Sequence, residues 1–358
     1  MRLGFKYRIY PTRAQTTKIN DNLESCRFLY NLFLEERKTA WEKCRKNVGL
    51  YDQLNRLPRL KKTYPTLKNV HSQALQNVGV RLDLAMQAFF RRVRQKQNPG
   101  YPRFKARGRY TSFTYPNAAC AGIVGGKIYL PKIGNVAIEQ HRPLEGVAKT
   151  VTVMREPTGK CYVVITCDDV VRDKLSQNTK AVGVDVGILT FATLSDGTEI
   201  KNPRFFETDQ RALGGASRKA KSTKNYKPVR RIHERIKHRR DNFNHQTSLA
   251  LVKNYGKIFT EDIDANALIR KRWCNKQILD AAWADFLAKL SYKAAYAGRE
   301  FMKVNPAYTS QTCSACGTRT LHELKDRTFE CSCGHKENRD LNAARNILAL
   351  GLQCVAQA

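Results

Sequence analysis

Four cysteines near the end of the chain have the spacing of a metal site. Cys313 and Cys316 form a Cys-x-x-Cys pair, Cys331 and Cys333 form a shorter Cys-x-Cys pair, and fourteen residues separate the two pairs. A glycine follows each pair and permits the left-handed backbone of a tight turn. Four thiolates complete a tetrahedral shell with no open position, so the spacing predicts a structural zinc ion. The alternative is four buried cysteines without a metal.

Three carboxylates lie at the ends of predicted elements. Asp185 lies in the apolar segment VGVDVG, Glu261 ends the apolar segment IFTE, and Asp340 begins the final predicted helix. An acid among apolar residues needs a partner, and a divalent cation is the strongest one. Taken singly, each acid has an ordinary explanation, since a carboxylate at the start of a helix, such as Asp340, is commonly an N-cap. Three acids in this order on a basic chain favour a metal site.

The chemistry of these two sites differs. Hard carboxylate oxygens suit magnesium or manganese, whereas four thiolates select zinc. Two hard ions ~3.5–4 Å apart can activate a water molecule and stabilise the leaving oxygen of a phosphodiester. We therefore predict that Asp185, Glu261 and Asp340 are catalytic residues that bind two Mg or Mn ions in a metal-dependent nuclease.

The first half of the chain has the pattern of an α+β protein with more than one domain. Residues 3–10 alternate as a strand, and helical patterns cover about 14–40 and 68–97, with Thr12 as an N-cap. Short segments with strand patterns and turn signals continue to about residue 170 and predict a small β-barrel. The strand at 3–10 is expected to join this barrel, with the helices inserted between its strands.

The second half has the pattern of an α/β domain. Four segments are typical of strands: AVGVDVG, LTFATLSDGTEI, GKIFTED and EFMKVN. Residues 204–255 have the pattern of helices, and residues 278–298 have the pattern of one amphipathic helix. Three strands followed by alternating helices and strands match the order of the RNase-H-like fold. In that fold one carboxylate lies on the first strand and others lie at the ends of later elements.

The charge of the chain indicates a polyanionic partner. The net charge is +33, with a net +18 over residues 1–110, zero over 111–200, +11 over 201–240 and +4 over 241–358. A charge run is usually a solvated surface, but an excess of this size favours grooves for nucleic acid. An anionic membrane surface is the weaker alternative, since we find no lipidation motif and no amphipathic anchor.

Composition places the chain in a reducing compartment. There is no stretch of 18 apolar residues, so a transmembrane span is not expected, and the start MRLGFKYRIYPTRAQ lacks the apolar segment of a signal peptide. Eleven cysteines, four clustered and seven scattered, do not form a secreted disulfide framework. We expect a cytoplasmic protein.

Several segments together resemble the TnpB family of RNA-guided nucleases, which bacterial transposons encode and which are related to type V CRISPR effectors. The matching segments cover nearly the whole chain: KYRIYPTRAQ, PGYPRFKARG, GVDVGILTFATLSDG, RIHERIKHRRDNFNHQTS, IFTEDID, TSQTCSACG and CSCGHKENRDLNAARNI. The last two, with their fixed offset to Asp340, are the most specific. Two departures are modest, namely Gly187-Ile188 after the first acid and the shorter Cys-x-Cys pair.

The resemblance implies a fold class and domain boundaries. We expect a wedge β-barrel formed by 1–10 and 99–176, with a helical recognition lobe at 11–98 inserted in it. A RuvC nuclease domain would comprise 177–306 and 338–358. A zinc ribbon that contacts the target nucleic acid would occupy the intervening 307–337.

The resemblance also implies a function. The family binds an RNA from the transposon end, recognises a short motif beside its target, and pairs the RNA with one DNA strand, so base pairing supplies most of the specificity. The expected partners are therefore a guide RNA and double-stranded DNA, with one RNA on a monomer near the bacterial nucleoid. The three RuvC acids of the family map onto Asp185, Glu261 and Asp340.

Further residues are candidates for contact with nucleic acid. Arg339 and Asn342 flank Asp340 and are expected near the scissile phosphate, with packing and capping as the alternatives. Glutamine and asparagine can read adenine edges, although surface solvation is the alternative for each. The remaining candidates for nucleic-acid binding are Tyr51, Gln73, Gln76, Asn77, Arg91, Arg92, Lys105, Arg230 and Arg231.

Two other functions stay open at this point. A nuclease-dead, RNA-guided repressor would normally have lost at least one of the three acids, and none is missing. A transposase or transposase accessory protein that joins DNA ends would form strand-transfer products without RNA.

Overall fold

The computed structural model describes residues 1–118, 122–171, 174–264, 267–268, 274–321 and 326–357. The chain divides into two compact units, Met1–Val171 and Arg172–Ala358. No helix in the described ranges is both long enough and apolar enough to span a membrane.

A seven-stranded sheet forms much of the first unit. Its strands are β1 Leu3–Tyr10, β2 Ser112–Tyr115, β3 Ile123–Val124, β4 Lys127–Leu130, β5 Gly134–Glu139, β6 Val147–Arg155 and β7 Cys161–Asp168. The alternation predicted for the first strand is present, because Phe5, Tyr7 and Ile9 are buried on one face of β1. β1 pairs antiparallel with β5 and β7, so this strand does join the later ones.

The order of the sheet is β2-β6-β7-β1-β5-β4-β3. β2 and β3 lie at its two edges, and no pairing between them closes the sheet within the described residues. Among the described strands, the hydrogen-bonded order thus runs from β2 to β3.

A helical segment joins β1 to β2. Its elements are α1 Arg13–Cys44, α2 Leu50–Asn55, α3 Leu57–Thr63, a 3-10 turn Pro65–Asn69 and α4 Ser72–Arg94. Thr12 caps α1 as predicted, since its hydroxyl accepts from the backbone N–H of Gln15 and the Gln15 side chain accepts from the Thr12 backbone. The second predicted helix is shorter than 68–97, because the 3-10 turn occupies its expected start.

A five-stranded sheet organises the second unit. Its strands are β8 Ala181–Val186, β9 Thr190–Leu194, β10 Glu199–Lys201, β11 Lys257–Glu261 and β12 Glu300–Val304, in the order β10-β9-β8-β11-β12. The first three strands form an antiparallel meander, and β11 is parallel to both β8 and β12. The carboxyl ends of β8 and β11 therefore lie at the same edge of the sheet.

Helices and a small hairpin complete the second unit. They are α5 Phe205–Thr223, α6 Lys227–Asn254, α7 Asn275–Ala281, α8 Trp283–Ala297, α9 Arg339–Ala356 and the hairpin strands β13 Thr328–Glu330 and β14 Lys336–Asn338. The prediction of one helix over 278–298 was wrong. Ala282 has a left-handed backbone (φ 51°) that separates α7 from α8, and the break allows both Ile278 and Trp283 to be buried.

Candidate active site

Two of the predicted acids end neighbouring parallel strands. Val184 of β8 pairs with Thr260 of β11, so the residues that follow, Asp185 and Glu261, lie side by side at the carboxyl edge of the sheet. Such an edge is where parallel sheets commonly place their functional groups. Both acids are partly exposed and can be reached from solvent.

The third acid reaches the same place because α9 packs closely on the sheet. A β-carbon on Gly183 of β8 would overlap the backbone of Ala344, and one on Gly351 would overlap the ring of Phe259 on β11. Glycine is thus required on both sides of the contact, once in the sheet and once in the helix. The close approach brings the first turn of α9, with Asp340, to the edge where β8 and β11 end.

Both of the other acids contribute to the electrostatics of Asp185. Burial and the neighbouring charges of Glu261 and Asp340 raise the pKa of Asp185 well above its usual range, while Arg339 opposes this effect. Burial also raises the pKa of Glu261, and a hydrogen bond from Thr309 opposes it. Like charges held at short range favour protonation, unless a cation offsets them. This donor set fits the hard divalent ions that the sequence predicts.

The alternative for Asp340, an ordinary N-cap, is not what the structure shows. Asn338 caps α9, because its side-chain oxygen accepts from the backbone N–H of Asp340 at 2.8 Å and of Leu341 at 3.4 Å. The carboxylate of Asp340 is therefore not needed to satisfy the helix end.

The four predicted cysteines come together as one cluster. The ligand sulfur atoms of Cys313, Cys316, Cys331 and Cys333 all lie within 4.8 Å of one another. Sγ of Cys313 is 3.8 Å from that of Cys333, and Sγ of Cys316 is 3.6 Å from that of Cys331. A tetrahedral zinc with bonds of about 2.3 Å sets its sulfur atoms about 3.8 Å apart, so the geometry fits this ion.

The backbone and the charges of the cluster also suit a cation. Gly317 and Gly334 have the left-handed φ angles of 78° and 87° expected after each pair. Hydrogen bonds from Thr318 lower the pKa of Cys316 to about 6. A hydrogen bond from the His335 backbone would lower the pKa of Cys333, but the neighbouring thiols outweigh it and raise this pKa to about 12. Four thiolates this close require a shared positive charge.

The two residues that flank Asp340 have different environments. Arg339 is partly exposed and lies close enough to Asp185 to affect its pKa. Asn342 is fully buried; its amide donates to the Thr312 carbonyl at 2.7 Å, and its oxygen accepts from the Ser314 N–H at 2.8 Å. These bonds correspond to the packing role that was the alternative for Asn342.

Two polar contacts near these sites were missed by the sequence analysis. Thr309 is buried, and its hydroxyl donates to Oε1 of Glu261. Glu337 accepts from the Ser314 hydroxyl, contacts His335 and pairs with Arg345 of α9. The only sequence signal for Thr309 is its place at the start of the segment TSQTCSACG, four residues before the first cysteine of the cluster.

The candidates for nucleic-acid contact lie on helices and one loop. Tyr51 on α2 is 78% exposed, whereas Oδ1 of Asn77 on α4 is buried without a hydrogen-bond partner in the described structure. Lys105 lies in the loop after α4, where its backbone bonds to Asn31. The other candidates are Gln73, Gln76, Arg91 and Arg92 on α4, and Arg230 and Arg231 on α6. Their contact with nucleic acid stays a prediction.

Three family models match parts of the chain. A "Cas12f1-like, TNB domain" matches residues 283–347, which include the cysteine cluster, and a "Probable transposase" matches 156–272. A "Helix-turn-helix domain" matches 1–46, although the structure there has β1 and the single long helix α1.

A solved structure shares the fold of the chain. It is that of the mini-RNA-guided endonuclease CRISPR-Cas_phi3, with a TM-score of 0.51 and 9% identity over 98% of this chain and 92% of that chain. At this level of identity the likeness concerns the mixed α/β fold alone.

Two relatives resemble nearly the whole sequence. A "Putative RNA-guided DNA endonuclease" of Streptomyces pristinaespiralis is 36% identical over 99% of this chain and 90% of its own length. The "Putative RNA-guided DNA endonuclease InsQ" of Escherichia coli strain K12 is 31% identical over 97% of this chain and 92% of its own length. Identity at this level over nearly the full length places the chain in the family that its motifs resembled: it belongs to the TnpB family.

Proposed function

We propose that the protein is an RNA-guided DNA endonuclease that hydrolyses phosphodiester bonds. The observation that carries this proposal is the convergence of Asp185, Glu261 and Asp340 at one sheet edge, with all three acids intact. The names of the two full-length relatives support the RNA guide and the DNA substrate. The net charge of +33 suits a protein that binds the phosphates of both.

The three acids would hold two magnesium or manganese ions. When bound, such ions activate water and stabilise the leaving oxygen of the phosphodiester. Asp185 and Glu261 supply carboxylates from the rigid strands β8 and β11, and Asp340 supplies one from the first turn of α9. Arg339 lies beside Asp185 and offers a positive charge for the phosphate. The cysteine cluster would hold a structural zinc that supports the start of α9.

The proposed domains keep the bounds that the family resemblance implies, although the two compact units divide between residues 171 and 172. Residues 1–10 and 99–176 would form the wedge barrel, and 11–98 the recognition lobe. Residues 177–306 and 338–358 would form the RuvC domain around the zinc ribbon 307–337. We further propose a monomer with one RNA in the bacterial cytoplasm.

The test uses the protein purified from cells that carry its own locus, with the RNA that accompanies it. One discrete RNA is expected, and the complex is expected to cut plasmid DNA that matches that RNA. Metal analysis of the same preparation is expected to give one zinc per chain. Random small RNAs would contradict the guided function.

Two adjacent acids provide a matched pair of variants. Glu261→Gln is expected to lower the cutting rate by roughly a thousandfold, because a metal ligand contributes several kcal/mol to the transition state. Asp262→Asn is the control, since Asp262 is exposed and pairs with Lys303 at 2.9 Å. Both variants should bind RNA and DNA as the wild type does. Equal cutting by the two variants would show that the site is wrong.

A transposase remains the second candidate, because the family model for residues 156–272 is described as "Probable transposase". That activity predicts joined DNA ends that persist after RNase treatment. Products with free ends that disappear after RNase treatment would favour the endonuclease.

A further inference from the structure

The segment between β12 and the first cysteine pair contacts one of the proposed catalytic acids. Thr309 is 3% exposed, and its hydroxyl lies against Oε1 of Glu261 and 3.2 Å from the carbonyl of Pro306. A hydroxyl has one proton to donate, and a carboxylate is a stronger acceptor than a carbonyl. The proton therefore belongs to the bond with Glu261.

The last helix holds this segment from its other side. The side-chain amide of Asn346 donates to the carbonyl of Thr309 at 2.8 Å and to that of Thr312 at 2.6 Å. Asn342, one turn earlier on the same face of α9, also donates to the Thr312 carbonyl. Both asparagines are buried, so water does not compete for these bonds.

The backbone next to Thr309 has an unusual conformation. Tyr308 has a left-handed φ of 67°, which is unfavourable for a residue with a large side chain. The Tyr308 carbonyl accepts from the N–H groups of Gln311 and Thr312 at 2.9 and 3.0 Å. The guanidinium carbon of Arg319 lies 3.3 Å from the centroid of the Tyr308 ring. These contacts stabilise a turn that the sequence alone would not favour. The turn points the hydroxyl of the next residue at Glu261.

We propose that Thr309 is a positioning residue for Glu261, and that Asn346 fixes Thr309 in place from α9. The hydroxyl engages Oε1 and so leaves Oε2 for a metal ion. Groups that hydrogen-bond a ligating carboxylate orient it and commonly change metal affinity by about 10–100-fold when removed. Since α9 also carries Asp340, one helix would set the positions of two of the three acids. This inference rests on the proposed function of the acids.

The first variant removes the hydroxyl and nearly keeps the shape. Thr309→Val is expected to raise the Mn²⁺ concentration for half-saturation by about tenfold or more. Binding is measured by electron paramagnetic resonance on the purified protein–RNA complex, and single-turnover cutting is measured over the same Mn²⁺ series. Thr309→Ser keeps a hydroxyl at the same position and is expected to restore most of the affinity, which a purely packing role for the side chain would not produce.

A second buried threonine supplies the control. Thr260 precedes Glu261 on β11, is 1% exposed, and its hydroxyl has no hydrogen-bond partner within the described part of the chain. Thr260→Val therefore makes the same change beside the same acid and is expected to leave Mn²⁺ affinity unchanged. Thermal unfolding of both valine variants checks that neither has lost its fold.

The outcomes separate this inference from the proposed function. Glu261→Gln is measured alongside the threonine variants. If it weakens Mn²⁺ binding and Thr309→Val does not, the positioning role is overturned while the metal site stands. If Glu261→Gln itself binds Mn²⁺ as the wild type does, the metal site and the positioning role are both overturned.

Discussion

The three carboxylates place an electrostatic cost on the folded chain. Burial and the charges of Glu261 and Asp340 act in the same direction on Asp185, and together they raise its pKa. A carboxyl group with a raised pKa destabilises the fold at any pH at which it is ionised. Functional sites commonly retain such costs, because relieving them removes the activity.

Replacing this acid should stabilise the protein while it abolishes cutting. We expect Asp185→Asn to raise the free energy of unfolding by roughly 0.5–2 kcal/mol at neutral pH. The folded state binds the Asp185 proton more tightly than the unfolded state, so wild-type stability falls as pH rises through the raised pKa. The gain should therefore grow with pH from about 4 upward, where the unfolded carboxyl begins to ionise. Urea unfolding in buffer free of magnesium and manganese measures it.

An acid with the opposite shift provides the control. Burial would raise the pKa of Asp196, but hydrogen bonds from Tyr255 and Thr198 outweigh it and lower the pKa. Asp196→Asn should therefore lose stability at neutral pH, with a loss that shrinks as the pH falls. Parallel pH profiles for the two asparagine variants would contradict this account.

The candidate active site depends on how α9 packs against β8 and β11. This helix carries Asp340 in its first turn, and it also carries both asparagines that hold the segment around Thr309. Its approach to β8 and β11 relies on Gly183 and Gly351, where a methyl group would overlap neighbouring atoms. The position of the third acid is therefore a consequence of packing along the whole helix.

Two helical glycines test this dependence with the same substitution. Gly351→Ala is expected to lower the free energy of unfolding by about 1–3 kcal/mol, because its methyl group would overlap the ring of Phe259. Gly215→Ala on α5 is expected to be neutral or stabilising by up to about 1 kcal/mol, since nothing lies within 4 Å of its added methyl group. Chemical denaturation compares them, and a neutral Gly351→Ala would contradict the packing argument.

Charge is the property of the whole molecule that most affects its function. Residues 1–110 and 201–240 carry nearly all of the net charge of +33, and residues 111–200 carry none of it. Each phosphate that the protein neutralises releases a counterion, so the affinity for RNA must fall as salt rises. The slope of log K against log salt therefore reports the number of phosphates that the protein contacts.

Two arginines on α6 test where these contacts lie. If Arg230 and Arg231 each bind a phosphate, the double alanine variant should reduce the slope of log K against log salt by roughly 1.5–2. The variant Lys127→Ala/Lys149→Ala loses the same charge from exposed positions within residues 111–200, which have no net charge, and should keep the wild-type slope. Filter binding of the co-purified RNA from about 50 to about 300 mM salt measures both. Equal slopes for the two double variants would place the phosphates elsewhere.

Local patterns in the sequence determined much of this protein. The two cysteine pairs, the glycines after them and the apolar strands that end in Asp185 and Glu261 depend on residues a few positions apart. Their strand and turn conformations follow from side-chain size, alternation and backbone freedom. Most strands and the first helix, with its cap at Thr12, were therefore predicted correctly.

Tertiary structure decided what lies beside those residues. No glycine or proline in the sequence marks the break at Ala282. The buried hydrogen bonds of Asn342 and the bond from Thr309 to Glu261 join residues that are far apart along the chain, so no local pattern predicts them. Such contacts depend on how α9 packs against the sheet, and packing is set by the shapes of many side chains together. The sequence identified the three acids, and the fold determined how they are held.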